Sequence, residues 1–399
     1  MASQQQPAEM LLVRQAEQAV RQGHNATALE LLRRAEAIAP ENVSVHLYKS
    51  LAHRSSGDFA AALAAVERAL ILDPYNFLAR LSRGWLLDRM GRSAKAVSVY
   101  REALAIAPAD DELPPDLRTA VARARELVTK DNAALKAHLE ERVRELRSRF
   151  AGDPGMTRFD ESVAILSGEA KAYVQQPLML HYPRLPAIPF FERELFPWLP
   201  ELEAATPVIV EEVQALLEQA GTEPFAPYIA YPPGSPLNQW QELNHSRRWS
   251  SFFLWHDGVR QDEACARCPR TAEILEGLPM ARQERYAPTA MFSALDPRTT
   301  IPPHTGSINT RSIVHLPLVL PGNCRFRVGN VTREWRMNEA WVFDDTIEHE
   351  AWNDSDELRV ILIFDVWNPL LTEAERELVT AMLAARAEFH RLRAEHDHP

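Results

Sequence analysis

Two histidines, His304 and His315, lie in a stretch that begins as a loop and continues as a strand, residues 302–320, PPHTGSINTRSIVHLPLVL. In non-haem iron sites, a histidine in such a position is commonly followed two residues later by a carboxylate, and the two side chains supply part of a facial triad. Gly306 occupies that second position here. The stretch therefore offers an imidazole ligand for iron without its usual carboxylate neighbour.

His349 and Arg359 form a second pair of interest, because they flank a turn rich in Asn, Asp and Ser. Asp354 lies midway between them, so a hairpin centred there would place the two side chains opposite one another. Arg359 alternates with Ile361 and Ile363, and an arginine on an apolar face needs an anion such as a small dicarboxylate. His349 could hold a metal beside it. Taken singly, each residue has an ordinary interpretation, as a hydrogen-bonded strand-end histidine and a half-exposed arginine.

Short strands are the elements that must position these residues. Seven runs rich in Val, Ile, Phe and Trp alternate with Gly, Pro, Asn and Asp turns. The runs are TAMFSAL, SIVHLPLVL, CRFRVG, TREWRM, AWVFDD, HEAWND and LRVILIFDVW. They predict an all-β sandwich or jelly roll. Prolines at 177–236 predict irregular chain before it with one helix near 207–220, and the capping box of Thr372 and Glu375 predicts a C-terminal helix to about 396.

The first third of the chain is a repeat with a period of 34 residues. The residues that recur in this register are glycines, alanines and prolines: Gly23, Gly57, Gly91; Ala28, Ala62, Ala96; Ala35, Ala69, Ala103; Pro40, Pro74 and Pro108. This pattern resembles the tetratricopeptide repeat, over about 8–108, and a helix at 116–150 would cap its open end. We expect a helical domain at 8–150 and a β domain at 151–399. The repeats suit binding of a peptide or protein, although dimerisation or support of the neighbouring domain is also open.

Composition excludes some classes of function. The 399 residues carry a net charge of −11, which disfavours nucleic acid as a partner. No apolar run is long enough to span a bilayer, and the first residues lack the features of a signal peptide, so we expect a cytoplasmic protein. The cysteines, Cys265, Cys268 and Cys324, are interpreted as ordinary thiols. The oligomeric state is left open.

Residues from about 179 to 376 resemble the aspartyl/asparaginyl β-hydroxylase family of iron(II)- and 2-oxoglutarate-dependent dioxygenases. The stretches that carry the resemblance are WSSFFLW, PPHTGSINTRSIVHLPLVLP, FDDTIEHEAWNDS and RVILIFDVWNP. This family has a double-stranded β-helix, or jelly roll, with two histidine ligands and a glycine in the carboxylate position, as at Gly306. The resemblance implies the following site residues: His304 and His349 as Fe(2+) ligands, and Trp249, Ser293, His315 and Arg359 at 2-oxoglutarate, with O2 as the oxidant.

Further roles follow from the same resemblance and from position. Asp345, four residues before His349, is expected to hydrogen-bond water in the vacant ligand position or to orient an imidazole, while a plain strand-end turn explains it equally well. Four arginines are candidates for holding a substrate carboxylate or are solvated strand residues, namely Arg311, Arg325, Arg327 and Arg336, and Arg311 is the first choice. The chain departs from its animal relatives at Ile313, where they carry arginine, and at Ala272, where a partner cysteine of Cys265 would stand.

Three functions are consistent with these features. The main one is β-hydroxylation of Asp or Asn in a peptide that the repeats present to the oxygenase domain. The alternatives are hydroxylation of a non-protein substrate, such as a lipid acyl chain or a carrier-bound amino acid, and a non-catalytic adaptor. Retention of His304, His349 and Arg359 favours an enzyme over an adaptor.

Overall fold

The computed structural model describes residues 7–153, 155–220 and 224–397. The chain divides into two compact units, one up to Ala170 and one from Lys171 onward, and each is described separately. The division falls after the sequence-based boundary at 150/151 because the helix at Met156–Ser167 packs on the long helix before it, where Arg147 pairs with Asp160.

The first unit is built from antiparallel helix pairs. Its helices are α1 Ala8–Arg21, α2 Asn25–Ile38, α3 Val43–Ser55, α4 Phe59–Leu72, α5 Phe77–Arg89, α6 Ser93–Leu104, α7 Pro115–Arg149 and α8 Met156–Ser167. The turns within the three pairs contain Gly23, Gly57 and Gly91, whose φ angles are 78°, 80° and 72°. Glycine adopts this left-handed conformation without the steric cost that other residues meet. The predicted 34-residue repeat is therefore confirmed in its turns.

Small residues of the repeat lie where the helices touch. The recurring alanines of α2, α4 and α6 are buried: Ala28, Ala35, Ala62, Ala69, Ala96 and Ala103. Helix α7 packs against α6 with buried Val121 and Ala124 on the contacting face. This contact covers the apolar face of the last repeat, which is the capping role predicted for 116–150.

Gly84 in α5 provides a test of this packing. A Cβ atom at Gly84 would lie 2.6 Å from two carbon atoms of the Tyr100 ring. Tyr100 is buried, so its ring has little room to move. We expect Gly84→Ala to lower the free energy of unfolding by about 1–3 kcal/mol through overpacking.

The measurement is thermal or urea unfolding of the full chain, followed by circular dichroism. Gly277→Ala is the matched control, because a Cβ atom at Gly277 meets nothing within 4 Å. Equal stability of the two variants would contradict close packing of α5 on α6.

The second unit contains the remaining helices and the strands. The helices are α9 Leu199–Ala204, α10 Thr206–Ala220, α11 Asp262–Arg267, α12 Pro269–Gly277 and α13 Glu373–Asp397. The strands are β1 Ala226–Pro227, β2 Trp249–His256, β3 Val259–Arg260, β4 Ala290–Leu295, β5 Thr299–His304, β6 Arg311–Val319, β7 Cys324–Val328, β8 Val331–Glu334, β9 Trp341–Phe343, β10 His349–Asn353 and β11 Arg359–Trp367. Each of the seven predicted strands is present. The capping box is also confirmed, since the Thr372 hydroxyl accepts from the Glu375 amide at 3.3 Å.

Within the described residues the strands form two antiparallel sheets. The larger sheet has the order β1-β2-β4-β11-β6-β9, with β3 on β2, and the smaller has the order β5-β10-β7-β8. The predicted order of a helical repeat domain followed by an antiparallel β domain is therefore confirmed. None of the described helices combines the length and apolar character needed to cross a membrane.

Both faces of the larger sheet are covered. On β11, Leu362 and Phe364 pack with helices α9, α10 and α12, whereas Ile361 faces a second core shared with the smaller sheet. Arg359 lies on the same side as Ile361 because side chains alternate along a strand. This double burial explains why β11 is almost continuously apolar in sequence.

The predicted hairpin between His349 and Arg359 is wrong. Strand β10 pairs with β5 and β7, whereas β11 pairs with β4 and β6, so the two residues belong to different sheets. The turn between them is a crossover from one sheet to the other. They approach one cavity from its two walls, not from one face.

Candidate active site

A cavity of about 320 Å³ lies between the facing sides of the two sheets. Its wall on the larger sheet comes from β2, β4, β6, β9 and β11, and its wall on the smaller sheet comes from β5, β7 and β10. Seven of the eight sequence-predicted site residues line it: Trp249, Ser293, His304, His315, Asp345, His349 and Arg359.

His304 and His349 are neighbours on adjacent strands. They are paired in register between β5 and β10, and their ring centroids lie 4.1 Å apart. The Nδ1 atom of His304 lies 2.8 Å from the carbonyl oxygen of Pro302, and that of His349 lies 3.0 Å from that of Ile347. A carbonyl accepts only, so both Nδ1 atoms carry the proton and both Nε2 atoms keep a lone pair. This tautomer is the one required for metal ligation through Nε2.

Burial keeps both imidazoles neutral. It lowers the pKa of His304 to about 4. Burial, followed by the proximity of His304, lowers the pKa of His349 well below its ordinary value. Two neutral nitrogen donors so close together fit a divalent cation. Among the described residues, no group of three or more His, Cys, Asp or Glu side chains completes a conventional metal site.

The third position is shaped by Gly306 and Asp345. The Gly306 amide donates to the Asp345 carbonyl at 2.7 Å, and a Cβ atom on Gly306 would overlap the Asp345 carboxyl group. The carboxyl of Asp345 therefore occupies the space that a side chain at 306 would fill. Burial, followed by the neighbouring Asp344, raises the pKa of Asp345 well above its ordinary value. The Asp345 carboxyl lines the same cavity as the two imidazoles.

Arg359 lines the same cavity from the first residue of β11. Its side chain is 1% exposed, and its Nε and Nη2 atoms have no hydrogen-bond partner among the described residues. The guanidinium packs over the Trp335 ring, 5.1 Å from the centroid. Burial lowers the pKa of Arg359 to about 10, so the group is still a cation at neutral pH. A buried cation without a counter-charge is costly, and a carboxylate ligand would relieve that cost.

Ser293 and His315 line the same cavity as this guanidinium. The indole Nε1 of Trp249 donates to the Ser293 hydroxyl at 3.2 Å, which leaves the hydroxyl proton free to be donated to a ligand. The Nδ1 atom of His315 has no partner among the described residues. Burial, followed by the charge of Arg359, lowers the pKa of His315 well below its ordinary value, so its ring is neutral. The guanidinium and the serine hydroxyl are donors that fit a carboxylate ligand.

Arg311 is not brought into the cavity. Its guanidinium donates to the Asp365 carboxylate at 2.6 Å and to the Tyr286 carbonyl at 2.7 Å. Arg311 does not line the cavity. The substrate-binding role predicted for Arg311 has no support in this placement, because its charge is already neutralised by Asp365.

Sequence reasoning missed two parts of the site. Trp335, which supports Arg359, sits in the predicted strand TREWRM, where an aromatic between charged residues is a detectable signal. The segment at 175–180, here called the strap, has no such signal because it is held largely by backbone hydrogen bonds. The amides of Gln176 and Leu178 donate to the carbonyls of Thr346 at 2.7 Å and Gly306 at 3.0 Å, and Leu178 lines the cavity.

The contact between Gly306 and Asp345 leads to a double-mutant test. Gly306→Ala is expected to destabilise the fold and weaken divalent-metal binding, because its methyl group displaces the Asp345 carboxyl and the loop that follows His304. The free energy of unfolding should fall by about 1–3 kcal/mol, as is typical of overpacking. In an Asp345→Ala background the same change should cost much less, since the overlapping group is gone.

The cycle is measured by urea unfolding and by Mn(II) titration of the four proteins. Additive effects, with the same cost for Gly306→Ala in both backgrounds, would contradict the overlap. Gly322→Ala serves as the control, because a Cβ atom there meets nothing within 4 Å.

Comparison with known families agrees with this two-part organisation. A family model described as aspartyl/asparaginyl beta-hydroxylase matches residues 203–369, and a tetratricopeptide repeat model matches residues 13–77 and 49–111. The first match contains both sheets and every cavity residue discussed above except those of the strap. The second match covers helix pairs of the first unit.

Similar proteins are hydroxylases by name. The chain is 38% identical over 143 residues to human "Aspartyl/asparaginyl beta-hydroxylase", which covers 36% of this chain and 19% of that protein. It is 31% identical over 222 residues to "Ornithine lipid ester-linked acyl 2-hydroxylase" of Rhizobium tropici, covering 55% of this chain and 72% of the relative. It is 27% identical over 259 residues to human "Aspartate beta-hydroxylase domain-containing protein 2", covering 63% and 67%.

The extent of these matches differs. The chain spans about a fifth of the human aspartyl/asparaginyl beta-hydroxylase, whose match covers 19% of its length. It spans most of the Rhizobium tropici protein, at 72% of the length. With this coverage of a relative that is 31% identical, and with the family model matching residues 203–369, the chain belongs to the aspartyl/asparaginyl β-hydroxylase family.

Proposed function

We propose that the protein is an iron(II)- and 2-oxoglutarate-dependent dioxygenase that hydroxylates a C–H bond. The observation that carries this proposal is the unpaired, buried guanidinium of Arg359 in the same cavity as the paired imidazoles of His304 and His349. A divalent cation fits the paired imidazoles, and a carboxylate fits the guanidinium. One molecule with a chelating keto-acid end and a distal carboxylate satisfies both.

Each residue of the cavity has a role in this proposal. His304 and His349 would hold the iron through Nε2, while their Nδ1–H groups stay bonded to backbone carbonyls. Arg359 and Ser293 would bind the distal carboxylate of 2-oxoglutarate, with Trp249 orienting the serine hydroxyl. When bound, iron and 2-oxoglutarate supply the activation of O2 for insertion into a C–H bond.

The side chains around the proposed iron and 2-oxoglutarate sites favour an anionic cosubstrate. Neutral imidazoles leave the cation its full charge, so an anionic cosubstrate is favoured over a neutral one. The Asp345 carboxyl fills the space beside Gly306 and would hydrogen-bond a water molecule bound to the cation. Aromatic side chains exclude bulk water from the donors: Trp249, Phe326, Trp335 and Phe343. A dry site strengthens the ion pair with Arg359.

The substrate follows less directly from the site. The sequence favours the β-carbon of an Asp or Asn residue in a peptide that the repeats hold, in line with the name of the human relative. The name of the Rhizobium tropici relative favours a lipid acyl chain instead. We also propose a cytoplasmic location, with which the free, buried cysteines of the described chain agree.

The test is turnover of 2-oxoglutarate by the full chain. Succinate formation should require both iron(II) and 2-oxoglutarate, and Mn(II) with 2-oxoglutarate should bind in a one-to-one ratio and raise the unfolding temperature. Binding without any succinate, across a broad set of candidate substrates, would favour the adaptor function. Absence of both metal binding and 2-oxoglutarate binding would refute the proposal.

A further inference from the structure

A row of aromatic rings connects His304 to the surface of the β domain. The Trp240 ring lies edge-on to the His304 imidazole, with 5.0 Å between the ring centroids. Trp240 and Trp249 lie 5.8 Å apart, and Trp249 and Tyr228 lie 4.2 Å apart. Rings whose centroids are up to about 7 Å apart are in contact. Trp240, Trp249 and Tyr228 are here called the aromatic stack.

The two ends of the aromatic stack have different surroundings. One end touches His304, a proposed iron ligand, and Trp249 in the middle is 5% exposed. Tyr228 at the other end is 38% exposed, although it lines the cavity. Trp249 also contacts His304 directly, with 6.1 Å between the centroids, so the connection does not depend on Trp240 alone. The stack therefore joins a phenol in contact with solvent to a proposed metal ligand without a gap between rings.

The residue types of the stack differ from those around the other imidazole. Apart from His304, the rings in contact with His349 within the described residues are Phe326 and Phe343, at 5.8 Å and 5.5 Å. Tryptophan and tyrosine rings lose an electron much more readily than a phenylalanine ring does. Of the two imidazoles, His304 is thus the one that the structure places against easily oxidised rings.

The cavity also contains a side chain that an oxidant would damage. Met291 lines the cavity and is 3% exposed. Oxidation of a thioether gives a sulfoxide, whose polarity disrupts apolar packing. When iron, 2-oxoglutarate and O2 react without a substrate, the oxidising equivalents that they generate have no substrate C–H bond to attack. Suppression of such competing reactions is a task that falls to the protein around the cofactor.

We infer that the aromatic stack conducts electrons from Tyr228 into the cavity and so removes oxidising equivalents when no substrate is bound. This inference rests on the proposed dioxygenase function and adds a protective activity to it. Tyr228 loses one electron and its phenolic proton and becomes a neutral radical. An external one-electron reductant, such as ascorbate, returns the electron, and water returns the proton.

The atoms and electrons of this reaction balance. One atom of O2 enters succinate as 2-oxoglutarate loses its C1 as CO2. The other atom is reduced to water by two electrons, which arrive in two passages through Tyr228, and by two protons from solvent. The net donor of both electrons is the external reductant, so the protein is left unchanged.

The test is electron paramagnetic resonance of the full chain, frozen during reaction with iron(II), 2-oxoglutarate and O2 without substrate or ascorbate. We expect a tyrosyl signal that narrows when the protein contains ring-deuterated tyrosine. Tyr228→Phe should remove this signal. Tyr231→Phe is the matched control and should retain it, because Tyr231 lines the cavity and is 39% exposed but has no ring contact with the stack within the described residues. Retention of the signal in Tyr228→Phe would overturn the inference.

Peptide mass spectrometry of the same reactions provides a second readout. At equal amounts of succinate formed, Tyr228→Phe should carry more added oxygen than the parent protein on Trp240, Trp249 and Met291. Ascorbate should reduce this oxidation in the parent protein and in Tyr231→Phe, but not in Tyr228→Phe. Comparison at equal succinate removes any effect of the substitution on the rate itself, and Mn(II) binding checks that each variant is folded.

Failure of this inference differs from failure of the proposed function. Succinate formation without a tyrosyl signal, together with equal oxidation of the parent protein and Tyr228→Phe, would refute electron transfer through the stack while the dioxygenase function stands. Absence of succinate, with no binding of Mn(II) or 2-oxoglutarate to the parent protein, would refute the proposed function, and the protective activity falls with it.

Discussion

His349→Ala is expected to abolish measurable hydroxylation, with a loss of more than about 100-fold in succinate formation. Changes to groups that merely orient metal ligands typically cost about 10–100-fold, and removal of one of two protein ligands should exceed that. His304 alone would then hold the cation. We expect Mn(II) affinity to fall in parallel with activity, because both depend on the same nitrogen.

His256→Ala is the matched control for this change. The His256 side chain is 53% exposed, lies at the end of β2 and does not line the cavity. Its removal should leave Mn(II) binding and succinate formation unchanged. Full activity in His349→Ala, with a normally folded protein by circular dichroism, would show that the paired imidazoles are not the metal ligands.

Arg359→Met is expected to change stability and binding in opposite directions. Removal of the buried, unpaired guanidinium should raise the free energy of unfolding by roughly 1–4 kcal/mol in the absence of ligand. The same change should weaken 2-oxoglutarate binding by roughly 2–5 kcal/mol, or about 30-fold or more. Methionine keeps apolar contact with Trp335, so the cavity wall is retained.

Urea unfolding and 2-oxoglutarate titration of the Mn(II)-loaded protein measure these two effects. Arg311→Met provides the contrast, because Arg311 neutralises the buried carboxylate of Asp365. We expect it to lower stability by roughly 3–5 kcal/mol. If both arginine variants were destabilised to the same extent, Arg359 would be a structural residue and not an anion-binding one.

Local patterns were sufficient to predict much of this molecule. The 34-residue spacing of Gly23, Gly57 and Gly91 reflects a turn that repeats with each helix pair, so the sequence alone identifies it. Strict alternation along β11 likewise places Arg359, Ile361 and Ile363 on one face. In both cases the information lies within one element or one repeat.

Contacts between distant elements were not predictable in this way. The turn after His349 looks like a hairpin turn, but β10 pairs with β5 and β7, and no local feature encodes that choice. The pairing of Arg311 with Asp365 joins residues separated by 54 positions. Each depends on long-range sheet topology, which a single sequence does not display.

The strap extends the functional domain beyond the family match. That match starts at residue 203, yet the loops that carry Gly306 and Thr346 receive hydrogen bonds from Leu178 and Gln176. Gln175 adds a further link, because its side-chain amide donates to the buried carboxylate of Asp344 at 2.5 Å. A shortened protein that begins at residue 203 would keep both sheets and every proposed ligand. It would lose the hydrogen bonds of the strap to the loops that carry Gly306 and Thr346. Boundaries chosen from homology alone would therefore remove Leu178 and with it part of the cavity lining.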